Sequence, residues 1–328
     1  MRYQQVRIPV QSELLRGNPL GDPADRTLHL LVPDDAGKGA PYPVIWVLPG
    51  YSGTAGSLLA SDPWSPGLHQ RVEKLAEDGM PPAIFAVPDL FTSLGGSQYL
   101  SSPSVGRYEE HLWQELRPAI EARYPCGKNG VAGKSSGGFG ALQHAIRHPE
   151  QVSAVACHSG DMCFEYAYLG DLPKLAGTLE RYGGLDEFLQ AFGRDQKKRE
   201  GQWIGALSVL CMAAVYSPDP AAPHGIGLPF DPATAALLPD VWARWLAFDP
   251  LRLVDEPRVQ KRLAELDLLF LDCGTRDEYH LQWGLRQFVA KLRAAGIPHE
   301  HEEFPDGHRS TSYRYEVSLP KLVAALRK

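Results

Sequence analysis

Residues 131–140 read VAGKSSGGFG, a short apolar run that stops against a serine set between glycines. Gly133 and Gly137 stand two positions either side of Ser135. Both must be glycine if a strand turns sharply into a helix here, because the two backbones then approach too closely for a Cβ. The apolar residues before the motif supply the strand, and the alanine-containing stretch 139–147 supplies the helix. A chain built around such a turn needs a sheet whose strands lead into helices.

The same alternation recurs along the chain. Strands are predicted at 6–10, 27–32, 44–48, 83–87, 131–132, 153–157, 268–272 and 299–304, and helices at 108–123, 139–147, 281–295 and 319–326. VIWVL and LLFLD are unbroken apolar runs, the pattern of strands covered on both faces. Pro118 is expected to kink its helix. Between 157 and 268 there is no convincing strand, and a structureless loop of that length is improbable within a compact domain. It carries helical patches at 185–198, 203–215 and 238–247, the last two separated by prolines. We therefore expect an α/β core from 1–160 and 257–328, with a helical cap inserted at 161–256.

The 328 residues are 44% hydrophobic and 22% charged, ordinary for a chain with a sizeable core. The net charge is −6 and no basic block occurs, which argues against nucleic-acid binding. The longest apolar run, 209–216, is far shorter than the roughly 20 residues of a membrane span. The opening MRYQQVRIPV lacks the apolar core of a secretory signal, so a cytoplasmic location is expected. Five scattered cysteines do not make a disulfide framework. Composition leaves the oligomeric state open.

The chemistry is concentrated in a few positions. Ser135, on the sharp turn, reads as a nucleophile, and a serine needs a base held by an acid. In the topology the motif implies, the acid follows a late strand and the base a final one. LLFLDCG leads into Gly274-Thr275-Arg276-Asp277, and HEHEEF leads into Pro305-Asp306-Gly307-His308. Asp277 is the expected acid and His308 the expected base. Asp161, in CHSGD, is the rival acid, while Glu278 adjoins Asp277 and Asp272 falls inside the strand. The oxyanion would be held by the amides of Ser136 and of Tyr51, in the loop after VIWVLPG. A phosphate-binding loop is excluded, because it would need glycine where Lys128 stands.

Taken together, LPGYSGT, VAGKSSGGFGALQHAIRHPEQVSAVACHSGD, DCGTRDEY and DGHRS resemble the putative-esterase branch of the α/β-hydrolases, which includes esterase D, enterochelin esterases and the mycolyltransferases. The resemblance covers nearly all of the chain outside 161–256. It implies a mostly parallel eight-stranded sheet flanked by helices, a triad of Ser135, Asp277 and His308, and carboxylic-ester hydrolysis through an acyl-enzyme. Members commonly carry His-Gly where this chain has Pro49-Gly50, which alters the support of the oxyanion loop. No cofactor or metal is implied, and a small-molecule ester is the expected partner.

Three other functions use the same residues or the same fold: acyl transfer to an alcohol, amide cleavage, and ligand binding without catalysis. The third would be signalled by a missing triad member, and none is missing. His158, Met162, Phe164, Gln98 and Trp203 are candidates for the substrate pocket. His299 and His301 share a strand face, but their glutamate neighbours favour a solvated edge over a metal site.

Overall fold

Alternate residues of the run 42–48 go to opposite faces of one sheet: Val44, Trp46 and Leu48 join one buried cluster, Ile45 and Val47 another. That is the two-residue period of a strand buried on both sides. The computed structural model describes residues 2–36, 41–61, 63–198 and 201–328. Apart from a two-residue hairpin pair at Ser101–Ser102 and Gly106–Arg107, its strands are β1 (Tyr3–Gln11), β2 (Asp25–Pro33), β3 (Tyr42–Leu48), β4 (Ile84–Val87), β5 (Cys126–Lys134), β6 (Val152–His158), β7 (Leu268–Gly274) and β8 (Glu300–Phe304). They form one eight-stranded sheet in the order β1-β2-β4-β3-β5-β6-β7-β8. Each expected strand is found. β2 is antiparallel to both its neighbours, and the pairings from β4 to β8 are parallel.

The principal helices are α1 (Leu68–Glu77), α2 (108–121), α3 (Ser136–Arg147), α4 (Leu172–Tyr182), α5 (Leu185–Arg194), α6 (Gly201–Tyr216), α7 (Pro239–Leu246), α8 (Pro257–Ala264), α9 (Leu281–Ala294) and α10 (Tyr315–Leu326). Leu68, Val72 and Leu75 of α1 and Leu319, Leu322 and Val323 of α10 cover one face of the sheet. Leu112 and Leu116 of α2, Phe139 and Leu142 of α3, Leu263 of α8 and Leu285 and Phe288 of α9 cover the other. The disturbance expected at Pro118 lies just ahead of it. Residues 112–116 form a π-helical turn in which the Arg117 amide donates to the Leu112 carbonyl. Pro118 has no N–H to carry the ladder on, so the helix restarts around it.

Among the described residues between β6 and β7 there are helices and two isolated bridges but no paired strand. Asp249 ties the two ends of this stretch together, its carboxylate accepting from the amides of Cys163 (3.0 Å), Phe164 (2.9 Å) and Leu251 (2.9 Å). The helix α6 is apolar on all sides and buried along nearly its whole length, as such a helix must be. Tyr216 at its end packs on Phe139 of the core (ring centroids 5.7 Å apart), on Phe164 (5.3 Å) and on Trp245 of α7 (5.4 Å). Among the described residues no helix is long and apolar enough to cross a membrane.

Strand order decides where a site can form. From β3 the chain crosses to β4 on one side, and from β5 to β6 on the other. A crevice therefore opens beyond the carboxyl ends of β3 and β5, where ligands bind in sheets of this kind.

Candidate active site

Ser135 follows the last residue of β5 directly and precedes the first of α3, with φ 57° and ψ −126°. A non-glycine residue in this region is strained by about 1–3 kcal/mol, a cost that persists only where the surroundings impose it. Its amide donates to the His158 carbonyl (2.9 Å) and its carbonyl accepts from Phe139 of α3 (2.9 Å). A Cβ on Gly133 would land on the Gly137 carbonyl, and one on Gly137 on the Leu48 carbonyl. Both glycines of the motif are thus required by backbone packing.

The loop after β3 comes to the same point. A Cβ on Gly50 would lie 3.4 Å from that of Ser135. The Tyr51 hydroxyl donates to the Leu94 carbonyl (2.7 Å), and the Tyr99 hydroxyl donates to the Pro49 carbonyl. The second bond supplies support for the Pro49-Gly50 turn. Tyr99 and the preceding Gln98 take consecutive left-handed conformations, φ 61° and 50°. Among the described residues the amides of Tyr51 and Ser136 have no protein acceptor. The Ser136 amide also opens α3, whose N-terminal end favours negative charge.

Two further loops leave the same edge of the sheet. The register pairs Lys134 with His158, His158 with Asp272, and Gly274 with Phe304, so β5 to β8 end side by side. The loops after β7 and β8 are knitted by Thr275 N–H to the Phe304 carbonyl (2.8 Å) and Arg276 N–H to the Asp306 carbonyl (2.9 Å). His308 Nδ1 lies 2.7 Å from Asp277 Oδ2, and both side chains are buried. The other Asp277 oxygen accepts from the Tyr279 amide (2.9 Å). Burial would raise the Asp277 pKa, but the bond and charge of His308 and the Tyr279 amide outweigh it, and the carboxyl sits below its ordinary value.

Glu278, the neighbour of Asp277, accepts from the His308 amide (2.6 Å) and so fixes the loop that carries the imidazole. The Tyr279 ring meets the His308 ring edge-on at 4.8 Å. Lys134, the residue before Ser135, is half-buried, and burial lowers its pKa against the opposing pull of Asp277 and Glu278.

The rival acid is engaged by other partners. Asp161 accepts from Tyr168 (2.9 Å), with Ser136 Oγ at 3.4 Å and Gln98 Nε2 at 3.5 Å. Burial raises its pKa, opposed by Tyr168, His308 and Gln98. One of these partners, Ser136, lies at the start of α3, and Asp161 makes no hydrogen bond to His308.

The pocket candidates scatter. Gln98 lies at the site, donating to the Tyr216 hydroxyl (2.8 Å). His158 points into the α10 side of the sheet, its ring bonded to Asp272 (2.7 Å) and Ser318 (2.8 Å). Being at a strand's end, its side chain had to choose one face, and Asp272 holds it on the one away from the crevice. Phe164 is fully buried among Phe139, Tyr168 and Tyr216. Met162 is buried under Gly284 of α9. Trp203 packs on Tyr182, Phe188 and Phe192 and donates to Asp195 (2.9 Å). None of these four lines the large cavity beside the site, a volume of about 720 Å³ walled by Tyr51, Leu94, Leu189, Phe192, Ile204 and Leu207 among others. Phe91, Leu94 and Leu189 belong to runs too ordinary in sequence to single out. Among the described residues no group of three or more His, Cys, Asp or Glu side chains is arranged to hold a metal.

Known proteins resemble the chain as a whole. Esterase Rv1288 of Mycobacterium tuberculosis (strain ATCC 25618 / H37Rv) is 24% identical over 322 residues, which cover 92% of this chain and 56% of that protein. The chain thus spans about half the length of the curated relatives it matches. A ferulic acid esterase structure superposes with a TM-score of 0.60 at 19% identity, covering 99% of this chain and 98% of that one. An S-formylglutathione hydrolase from Agrobacterium tumefaciens gives 0.59 at 16% identity, with 99% and 96% covered. At such identities the superpositions establish the α/β-hydrolase fold. The family model described as Putative esterase matches residues 23–326, so with the fold and the serine turn already in view, the chain belongs to the Putative esterase family.

Proposed function

We propose that the protein is a serine hydrolase that cleaves carboxylic esters, with Ser135, His308 and Asp277 as its triad. The observation that carries this reading is the Asp277–His308 pair, at 2.7 Å, on the same strand edge as a serine held at positive φ. Family membership supports ester hydrolysis independently of the geometry.

In this mechanism Ser135 Oγ attacks the ester carbonyl while His308 Nε2 takes its proton. Asp277 keeps the Nδ1 proton in place and stabilises the imidazolium. Negative charge gathers on the former carbonyl oxygen and is met by the Tyr51 and Ser136 amides, which need no rearrangement to donate. The tetrahedral adduct collapses, the C–O bond to the alcohol breaks, and His308 returns the proton to the departing oxygen. Water, deprotonated by His308, then attacks the acyl-enzyme and releases the carboxylic acid and the serine. The stretch 161–256 serves as a cap in this reading, since its helices α5 and α6 wall the cavity beside the oxyanion loop.

Ser135→Ala should lower kcat on p-nitrophenyl acetate by about a million-fold, the scale for removal of such a nucleophile. Near-normal turnover in that variant would refute the assignment.

A further inference from the structure

We infer that the cavity beneath α5 and α6 is an acyl-binding site, and that the preferred substrates are esters of medium-chain aliphatic acids. The inference rests on the esterase reading above and assigns the two halves of the ester to opposite sides of Ser135.

The assignment follows from where proton transfer must occur. His308 gives its proton to the departing alcohol, so the alcohol half lies toward the β8 side of Ser135. The carbonyl oxygen faces the Tyr51 and Ser136 amides. The acyl group is then directed to the remaining side, toward the loops that follow β3 and β4. The cavity lies there: Tyr51 and Ser52, from the oxyanion loop, and Phe91 and Leu94, from the loop after β4, form its inner wall. Its outer wall is built by Leu189 and Phe192 of α5, Ile204 and Leu207 of α6, and Ile226.

The chemistry of the walls selects the occupant. At about 720 Å³ the space is within the range that holds a whole small ligand. Three of its polar side chains are already engaged. Lys198 Nζ donates to the carbonyls of Phe192 and Gly193 (both 2.8 Å), the His224 ring pairs with Asp186 (2.6 Å), and Ser104 Oγ donates to the Gly225 carbonyl (2.5 Å). A sugar or a peptide bound against walls so largely apolar would leave most of its own polar groups unpaired. An aliphatic chain loses nothing and gains the burial of each methylene.

The test compares p-nitrophenyl acetate with p-nitrophenyl octanoate, which share a leaving group. In the wild-type protein kcat/KM should be at least about tenfold higher for octanoate. Ile204→Trp and Leu189→Trp, two substitutions at half-buried positions of the outer wall, should each lower kcat/KM for octanoate by about tenfold or more while acetate changes by no more than about twofold. Retained acetate activity reports that each variant is folded. Equal wild-type rates on the two esters, or equal losses on both in variants whose thermal melting is unchanged, would overturn the inference and leave the esterase reading standing. Hydrolysis of neither ester would end both.

Discussion

Replacing Asp277 by asparagine separates the two candidate acids. Asp277 Oδ1 accepts from the Tyr279 amide at 2.9 Å, and Oδ2 faces His308 Nδ1 at 2.7 Å. An asparagine in the same pose must keep its oxygen on the Tyr279 N–H, which turns its amide group toward His308. Nδ1 then has to accept, the ring proton moves to Nε2, and that nitrogen can no longer take a proton from Ser135. Imposing the wrong tautomer in this way costs about 10⁴ in kcat, or roughly 5.5 kcal/mol of transition-state stabilisation. Folding should be little affected, because the substitution conserves volume and the bonds to Tyr279 and His308, losing only the long Cys273 Sγ contact (3.6 Å). The assay is kcat on p-nitrophenyl acetate for Asp277→Asn beside Asp161→Asn. Asp161 makes no hydrogen bond to His308, so its variant should stay within about tenfold of wild type. A collapse for Asp161→Asn with Asp277→Asn near wild type would refute the acid assignment and the tautomer argument together.

Ser135→Gly should abolish turnover on p-nitrophenyl acetate yet raise stability by about 1 kcal/mol in thermal melting, because glycine occupies φ 57° without strain. Gly137→Ala drives a Cβ onto the Leu48 carbonyl and should destabilise the fold by about 3 kcal/mol in urea titrations, whereas Gly177→Ala, with open space at its Cβ in α4, should be neutral or slightly stabilising. Glu109 is bonded by Arg147 (2.7 Å) and His148 (2.8 Å); burial alone would raise its pKa, but these partners lower it to about 2. A folded-state pKa below the unfolded one means stability present at neutral pH and lost as pH falls toward 2, so Glu109→Gln should cost up to about 3 kcal/mol at pH 7 with the deficit shrinking below about pH 4.5. A deficit that stays constant down to low pH would contradict the ion-pair account.

The sheet was legible because its strands are the strongest signals in the chain. A run such as VIWVL buries residues on both faces and leaves no other element to which it can belong. Helices were read where the apolar stripe was long and missed where charged residues interrupt it: α1, α4 and α8 went unseen although Val72, Leu175 and Leu263 are buried in each. α3 begins at Ser136, three residues before the expected start, since Gly137 and Gly138 are poor helix formers that backbone packing nonetheless demands there. The residues named for the triad and oxyanion loop converge on one edge because motif and chain order are set by backbone geometry. The pocket was not legible. Phe164 and Trp203 looked like pocket-lining aromatics, but both are buried against other rings, and the cavity is walled instead by Tyr51, Phe91 and Phe192 with aliphatic residues such as Leu94, Leu189 and Ile204.

The central claim is that Ser135 is activated by His308, and fluorophosphonate labelling followed by peptide mass mapping tests it most directly. The account predicts a single adduct on Ser135, lost in His308→Ala while that variant keeps its wild-type melting temperature. An adduct on another residue, or undiminished labelling of Ser135 without His308, would contradict it.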